Sequence, residues 1–315
     1  MRIVFFGTPD FAVLPLERLL DSGHEVAAVV TQPDRQSGRG RRVKSCPVKV
    51  EALNAGLKVI QPLRARDADF MDELKSLNPS IIIVVAYGQI LPPEIIDMPE
   101  FGCVNIHASL LPKYRGAAPV NWAIINGEEK TGVTIMLMDE GMDTGPLLLQ
   151  EEVKIAPDDT TGSLLEKLSK IGADILLPAI EGLEKGSIKP EAQSDEASYA
   201  PIMKKTDGLI NWSKQADELS SFINGMNPWP GAYSFIEKER VKILKAVPDN
   251  SVEGPVCKEK EGGVIARADK GGLLVCTGSG SLSILEIQPP GKPAMPVKAF
   301  LQGRILKEGT RFQSS

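Results

Sequence analysis

The chain has 315 residues, 42% hydrophobic and 24% charged, an ordinary globular composition and long enough for two compact units. Its net charge of −5 argues against a wholesale nucleic-acid coat, and no apolar run approaches the roughly 20 residues that span a bilayer. Met1 leads directly into a strand-like segment with no signal or transit pattern, and Cys46, Cys103, Cys257 and Cys276 are scattered without C-x-x-C spacing, so the expectation is a cytoplasmic protein with reduced thiols.

In chain order, Arg2 to Gly7 reads as a strand, Phe11 to Leu20 as an apolar-periodic helix and Glu25 to Thr31 as a second strand, a β-α-β unit. The first turn, Gly7-Thr8-Pro9-Asp10-Phe11-Ala12, lacks the G-x-G-x-x-G fingerprint, which excludes a dinucleotide cofactor. His24 falls in the helix-strand turn and is read as a turn residue. Residues 32 to 47 are polar and carry Arg35, Arg39, Arg41, Arg42 and Lys44 against a single Asp34, with Gly38 and Gly40 between them. This is an exposed basic loop, either solvated or suited to phosphate and guanine contacts.

Ile81 to Ala86 is a continuous apolar run of the kind that forms a central parallel strand, and Gly88-Gln89-Ile90-Leu91-Pro92 follows at its carboxyl end, where open α/β sheets bind ligands. The next strand, Gly102 to His107, carries Asn105 and His107 two apart, so both side chains project to one side. Asn105 can donate from its amide, and His107 can donate or accept. The loop Asp139 to Pro146, D-E-G-M-D-T-G-P, adds Asp143 as a carboxylate able to hold His107 or carry a proton, with Asp139 and Glu140 as alternatives. No covalent nucleophile stands beside a base, and two histidines are too few for a metal site of several His or Cys ligands, so no metal is expected. Together these residues describe a transfer site without a nucleophilic side chain.

Thr160 to Leu183 is a core-packing helix, and residues 189 to 203 read as a polar linker. Beyond it come a helix at Asp217 to Met226 and short strands at Tyr233 to Ile236, Arg240 to Val247, Gly263 to Ala268, Gly272 to Thr277 and Gly280 to Gln288, with a last one at Arg304 to Leu306. That spacing suggests a small Greek-key barrel. Trp229 and Tyr233 are read as barrel anchors, with nucleotide stacking as the alternative. Residues 1 to 199 hold 20 Lys and Arg against 29 Asp and Glu, whereas residues 200 to 315 hold 16 against 12, a distribution that fits a polyanion held by one part and reacted on by the other.

N-x-H-x-S-L-L-P followed by R-G-A-A-P, then G-x-D-T-G-P, resembles the folate-dependent formyltransferases over nearly the whole chain, most closely the branch acting on methionyl-tRNA. The resemblance implies an α/β chain with a Rossmann-like, open, mostly parallel sheet as catalytic domain (residues 1 to 188), and an oligonucleotide-binding-like β-barrel (residues 204 to 315) that holds tRNA. It implies formyl transfer from 10-formyltetrahydrofolate to the α-amine of methionyl initiator tRNA, with Asn105, His107 and Asp143 catalytic. Gln89, Ile90, Leu91, Ser109, Leu110, Leu111 and Pro112 would face the folate, and Arg39, Arg41, Arg42 and Lys44 the tRNA. Nothing demands an oligomer, so a monomer is expected. The rival within the family is a formyltransferase acting on an amino-sugar nucleotide, against which the basic loop and the basic last third speak.

Overall fold

Strands that are apolar at nearly every position must be covered on both faces, and the first half of the chain is built on such strands. In the computed structural model, which describes residues 1–37, 42–249, 257 and 262–313, two compact units form. The first comprises Met1–Pro119, Thr131–Lys154 and Leu165–Ala200, and the second Val120–Lys130, Ile155–Leu164 and Pro201–Ser315.

The first unit contributes β1 (Arg2–Gly7), β2 (Glu25–Val30), β3 (Arg35–Ser37), β4 (Arg42–Lys44), β5 (Val59–Ile60), β6 (Ile81–Val85), β7 (Cys103–His107), β8 (Arg115–Gly116), β9 (Lys130–Leu137), β10 (Leu147–Lys154) and β11 (Tyr199–Ala200). Seven of these make one sheet in the order β10-β9-β7-β6-β1-β2-β5. β5, β2, β1, β6 and β7 run parallel, and β9 turns antiparallel to β7. Successive strands move outward in opposite directions from the β1–β6 pair, so the carboxyl ends of β6 and β7 face the crevice that such a reversal opens.

The helices cover the sheet through short apolar stripes. Ala68–Ser76 buries Phe70 and Leu74, and Phe70 meets Phe6 of β1 edge-on at 6.2 Å, with Tyr87 on another side of Phe6 at 5.0 Å. That helix ends where Asn78 takes a left-handed φ of 48° ahead of Pro79. β3 and β4 form a two-stranded hairpin of their own. The segment read as a linker does more than connect. Tyr199 and Ala200 pair in parallel with Arg115 and Gly116 in a small ladder.

In the second unit β12 (Tyr233–Ile236), β13 (Glu239–Pro248), β14 (Ile265–Asp269), β15 (Gly272–Cys276), β16 (Ser281–Gln288) and β17 (Met295–Pro296) form an antiparallel sheet ordered β12-β13-β16-β15-β14, with β17 on β16. The expected last strand is displaced. Arg304–Leu306 is irregular after the helix Val297–Gln302, and the strand-like role passes to Arg311–Gln313. Gln313 exchanges both backbone hydrogen bonds with Phe235 of β12, while Phe312 N–H reaches Gly263 just before β14 at 2.8 Å. The two edges of the sheet are thereby linked, which is how a curled sheet hides its unpaired edge groups.

The cysteine expectation is also corrected. Cys257 and Cys276 form a disulfide with Cα atoms 5.3 Å apart, while Cys46 and Cys103 are free. The pairing arises from the fold bringing residue 257 against the buried end of β15, a proximity that a separation of 19 in sequence does not announce.

Candidate active site

β7 delivers Asn105 and His107, as their spacing predicts. Asn105 is paired across to Val84 on one side and Met136 on the other, and His107 to Thr134. His107 is buried and Asn105 half-buried at the strand's carboxyl end. Among the described residues, Asn105 makes no side-chain hydrogen bond, so its amide keeps its donors for a ligand.

The ring of His107 is fixed from one side. Its Nε2 lies 2.8 Å from the carbonyl oxygen of Tyr114, which can only accept, so Nε2 carries a proton and Nδ1 is the ring atom left for exchange. Nδ1 faces Asp143, with Oδ1 at 3.7 Å. The other carboxylate oxygen, Oδ2, accepts the backbone N–H of Gly116 at 2.7 Å. Asp143 is therefore the carboxylate that meets His107. Asp139 instead accepts from Gly141 N–H at 3.0 Å and Thr144 Oγ at 2.6 Å, closing its own loop, and Glu140 is exposed.

The loop that aims Asp143 is tight. Asp143 itself has a left-handed φ of 53°, a conformation that non-glycine residues hold only where the surroundings enforce it. A Cβ on Gly145 would sit 1.9 Å from the carbonyl oxygen of Leu137, so only glycine lets the loop return across the end of β9.

Of the expected folate residues, several are structural in part. Ser109 is fully buried and donates to the Tyr114 carbonyl at 3.1 Å, and its own carbonyl accepts from Thr134 Oγ at 2.6 Å, so it is no nucleophile. Gln150 completes this corner by donating to Leu111 O and Thr134 Oγ, both at 2.9 Å. Leu111 and Leu91 are core residues, whereas Leu110 and Pro112 are half-buried. The amide of Gln89 holds the backbone at residues 63 and 65, accepting from Ala65 N–H at 2.8 Å. Ile90 is 90% exposed.

Of the basic loop, Arg39 and Arg41 lie outside the described residues, Arg42 is on β4, and Lys44 is exposed at the end of that strand. Its base is latched. Asp34, directly before the hairpin, accepts from Lys49 at 2.7 Å and Gln61 at 3.1 Å, and Lys49 also donates to Gln61 at 2.6 Å. The Lys49 ammonium and the Gln61 amide hold the Asp34 carboxyl below its usual range. The one acidic residue of the loop is thus engaged chiefly by Lys49 and Gln61 outside it, with Ser45 Oγ at 3.4 Å within it. In the C-terminal unit Tyr233 is buried under the Arg240 guanidinium at 3.6 Å, and Trp229 is 49% exposed.

Sequence reasoning missed the groups that fix the pair: the Tyr114 carbonyl that holds His107, the Gly116 N–H and Gln193 that hold Asp143, and the Arg115 side chain that holds Gln193. Gln193 donates to the carbonyls of Asp143 and Gly145, both at 2.8 Å. It sits in a polar stretch without periodicity, where no sequence signal marks it. Among the described residues, no group of three or more His, Cys, Asp and Glu side chains is arranged to hold a metal ion, and no helix is long and apolar enough to cross a membrane.

Comparison with known proteins extends this picture. Residues 1–180 match the formyl transferase family model and residues 202–304 that of the formyl transferase C-terminal domain. The chain is 50% identical over 309 residues to a methionyl-tRNA formyltransferase of Thermodesulfovibrio yellowstonii, covering 98% of this chain and 97% of the relative. Among solved structures it is similar in fold to HypX from Aquifex aeolicus in complex with tetrahydrofolic acid (TM-score 0.66, 21% identity, 96% of this chain and 47% of that one). It is likewise similar to an N-formyltransferase from Helicobacter canadensis in complex with folinic acid and dTDP-3-aminofucose (TM-score 0.66, 20% identity, 90% and 97%).

Proposed function

The chain belongs to the formyl transferase family, and on that premise we propose that it moves the formyl group of 10-formyltetrahydrofolate to the α-amine of methionyl initiator tRNA, giving N-formylmethionyl-tRNA for translation initiation. The observation that carries the choice of acceptor is half-identity to a methionyl-tRNA enzyme along nearly the full length of both chains. The sugar-nucleotide enzyme shares the fold at 20% identity. A basic hairpin whose acidic residue is engaged elsewhere supports the same acceptor.

In this reading the amine nitrogen attacks the formyl carbon, a new C–N bond forms, the bond to the folate nitrogen breaks, and one proton passes from the amine to that nitrogen. Negative charge develops on the formyl oxygen. Asn105 donates to it from its amide, a preorganised donor worth on the order of 10²-fold to 10³-fold, and a protonated His107, whose Nε2 is spent on Tyr114 and whose Nδ1 faces Asp143, opposes that charge with its own. Asp143, held through Oδ2 by Gly116, keeps Oδ1 for the imidazolium and for the proton on its way between the two nitrogens. Ile90 and the half-buried Leu110 and Pro112 give the apolar surface that a flat folate ring needs. Residues 1–188 carry the chemistry, residues 204–315 hold the tRNA, and Arg39, Arg41, Arg42 and Lys44 grip its acceptor end. The protein acts in the cytoplasm as a monomer.

The test is formylation of charged initiator tRNA and, separately, of an amino-sugar nucleotide, each with 10-formyltetrahydrofolate. Transfer to the tRNA alone is expected. Transfer to the sugar alone would keep Asn105, His107 and Asp143 and overturn the acceptor, and transfer to neither would overturn the reading.

A further inference from the structure

We infer that Gln193 and Arg115 are positioning residues that set the Asp143 carboxylate against His107, an inference that rests on the formyl-transfer reading for its kinetic arm only. The amide of Gln193 is saturated. Its two N–H groups go to the carbonyls of Asp143 and Gly145 at 2.8 Å each, and its oxygen accepts from Arg115 Nε at 3.1 Å and Nη2 at 2.8 Å. Both sets of partners fix the same amide orientation, since carbonyls only accept and a guanidinium only donates.

The clamp grips the backbone of a residue in a left-handed conformation, which does not persist unaided. Its other end is anchored as well. Arg115 N–H donates to Ser198 O at 2.8 Å in the ladder between β8 and β11, and the next residue, Gly116, supplies the N–H that holds Asp143 Oδ2. Gly116 is required there, because its φ is 114° and a Cβ would lie 2.6 Å from Ala200 O. Asp143 is thus held at its main chain by Gln193 and at its carboxylate by Gly116, and both holds hang on the pairing of residues 115–116 with 199–200. Gln193 also lines a cavity of about 540 Å³ beside the loop, together with Arg115, Thr144, Pro146 and Tyr199, which offers the alternative that it binds a ligand directly.

Gln193→Met keeps the length and removes every hydrogen bond. It is expected to lower kcat for tRNA formylation by at least about 10-fold with both KM values within about twofold, and to add nothing to Asp143→Asn, because residues acting through one another are non-additive. Arg115→Met, which leaves the amide without its anchor, is expected to act in the same direction more weakly and serves as the second variant. A readout independent of turnover is the imidazole ¹H–¹⁵N spectrum. The chain has two histidines, so His24→Gln assigns the ring signals, and those of His107 are expected to move alike in Gln193→Met and Asp143→Asn. Unchanged kcat and His107 signals, or losses that multiply in the double variant, would overturn the inference. So would a rise in KM for tRNA alone, which would make Gln193 a ligand contact. Failure of the wild type to formylate tRNA would strike the proposed function and leave the spectroscopic arm to decide the clamp.

Discussion

His107 Nδ1 and Asp143 Oδ1 stand 3.7 Å apart, while the second Asp143 oxygen is held by Gly116 N–H at 2.7 Å and the second ring nitrogen of His107 by the Tyr114 carbonyl at 2.8 Å. Each partner is fixed by one atom and presents the other. The gap is longer than a hydrogen bond and short enough to close with a small movement or one intervening proton carrier.

That arrangement makes the charge of Asp143 and the proton capacity of His107 the groups to remove. Asp143→Asn retains an acceptor for Gly116 and loses the charge, and His107→Gln retains a donor for Tyr114 and loses the second nitrogen. Each is expected to lower kcat by roughly 10²-fold to 10⁴-fold, the usual share of a positioned acid or base, with KM changed little. Steady-state kinetics on variants whose circular dichroism and Tm match the wild type check this. A His107→Gln protein with wild-type kcat would remove His107 from the chemistry.

Burial in the sheet gives a pH dependence unrelated to turnover. Tyr87 is pushed up to about 12 by burial, and Cys103 to about 12 by burial with Asp97 nearby. Both groups are neutral in the fold, and their folded values lie above their unfolded ones. Their contribution is therefore complete below about pH 9 and is lost as pH rises towards 12, at up to about 1.4 kcal/mol per pH unit for each group. Urea unfolding between neutral pH and pH 11 is expected to show this fall, and Tyr87→Phe to flatten it. The Tyr87 hydroxyl is buried and has no hydrogen-bond partner among the described residues, so Phe is expected to lose no bond at neutral pH. An equally steep alkaline loss in Tyr87→Phe would place the cause elsewhere.

The linkage of the C-terminal sheet's edges rests on a residue near the end of the chain. Phe312 is 1% exposed, lies against Trp212 at a centroid distance of 5.3 Å and donates its N–H to Gly263. Phe312→Ala is expected to destabilise by about 3–5 kcal/mol, the usual cost of emptying a buried aromatic site. Conservative replacement by Leu should recover part of that loss. A shift in Tm for Phe312→Ala no larger than that of an exposed change such as Lys307→Ala would show that the edges hold without it.

What the sequence disclosed follows from the physics of each feature. Apolar runs such as Ile81 to Val85 and the alternation of β13 are local patterns, so most strands of the two large sheets were legible to within about two residues, whereas the short β17 was not. Asn105 and His107 were legible as a pair because a strand's two-residue period is fixed by its geometry. The Asp143 partners were not, since Gln193 reaches its loop across a sequence separation of 50 through a ladder of two residues per strand. The closing segment was misplaced at Arg304 to Leu306 for a related reason. Its role is set by which residues meet Phe235 and Gly263, whereas composition favoured the earlier apolar pair. The Cys257–Cys276 bond likewise comes from register and left no local mark.

The basic hairpin separates two roles that a salt series can tell apart. Arg42 and Lys44 belong to the hairpin itself, whereas Lys49 lies outside it and is paired with Asp34 and Gln61 at its base. If the hairpin grips phosphates, Arg42→Gln with Lys44→Gln should raise KM for tRNA and flatten the log KM against log salt plot by roughly 0.7–0.9 for each lost contact. Lys49→Met should loosen the mounting, raising KM with the slope unchanged, because the Lys49 charge is already neutralised by Asp34. In both, kcat at saturating tRNA should stay near wild type, since neither change reaches the His107–Asp143 pair. A flattened slope in Lys49→Met would make Lys49 a phosphate contact in its own right. An unchanged KM in the Arg42 and Lys44 double variant would release both residues from the tRNA-binding role.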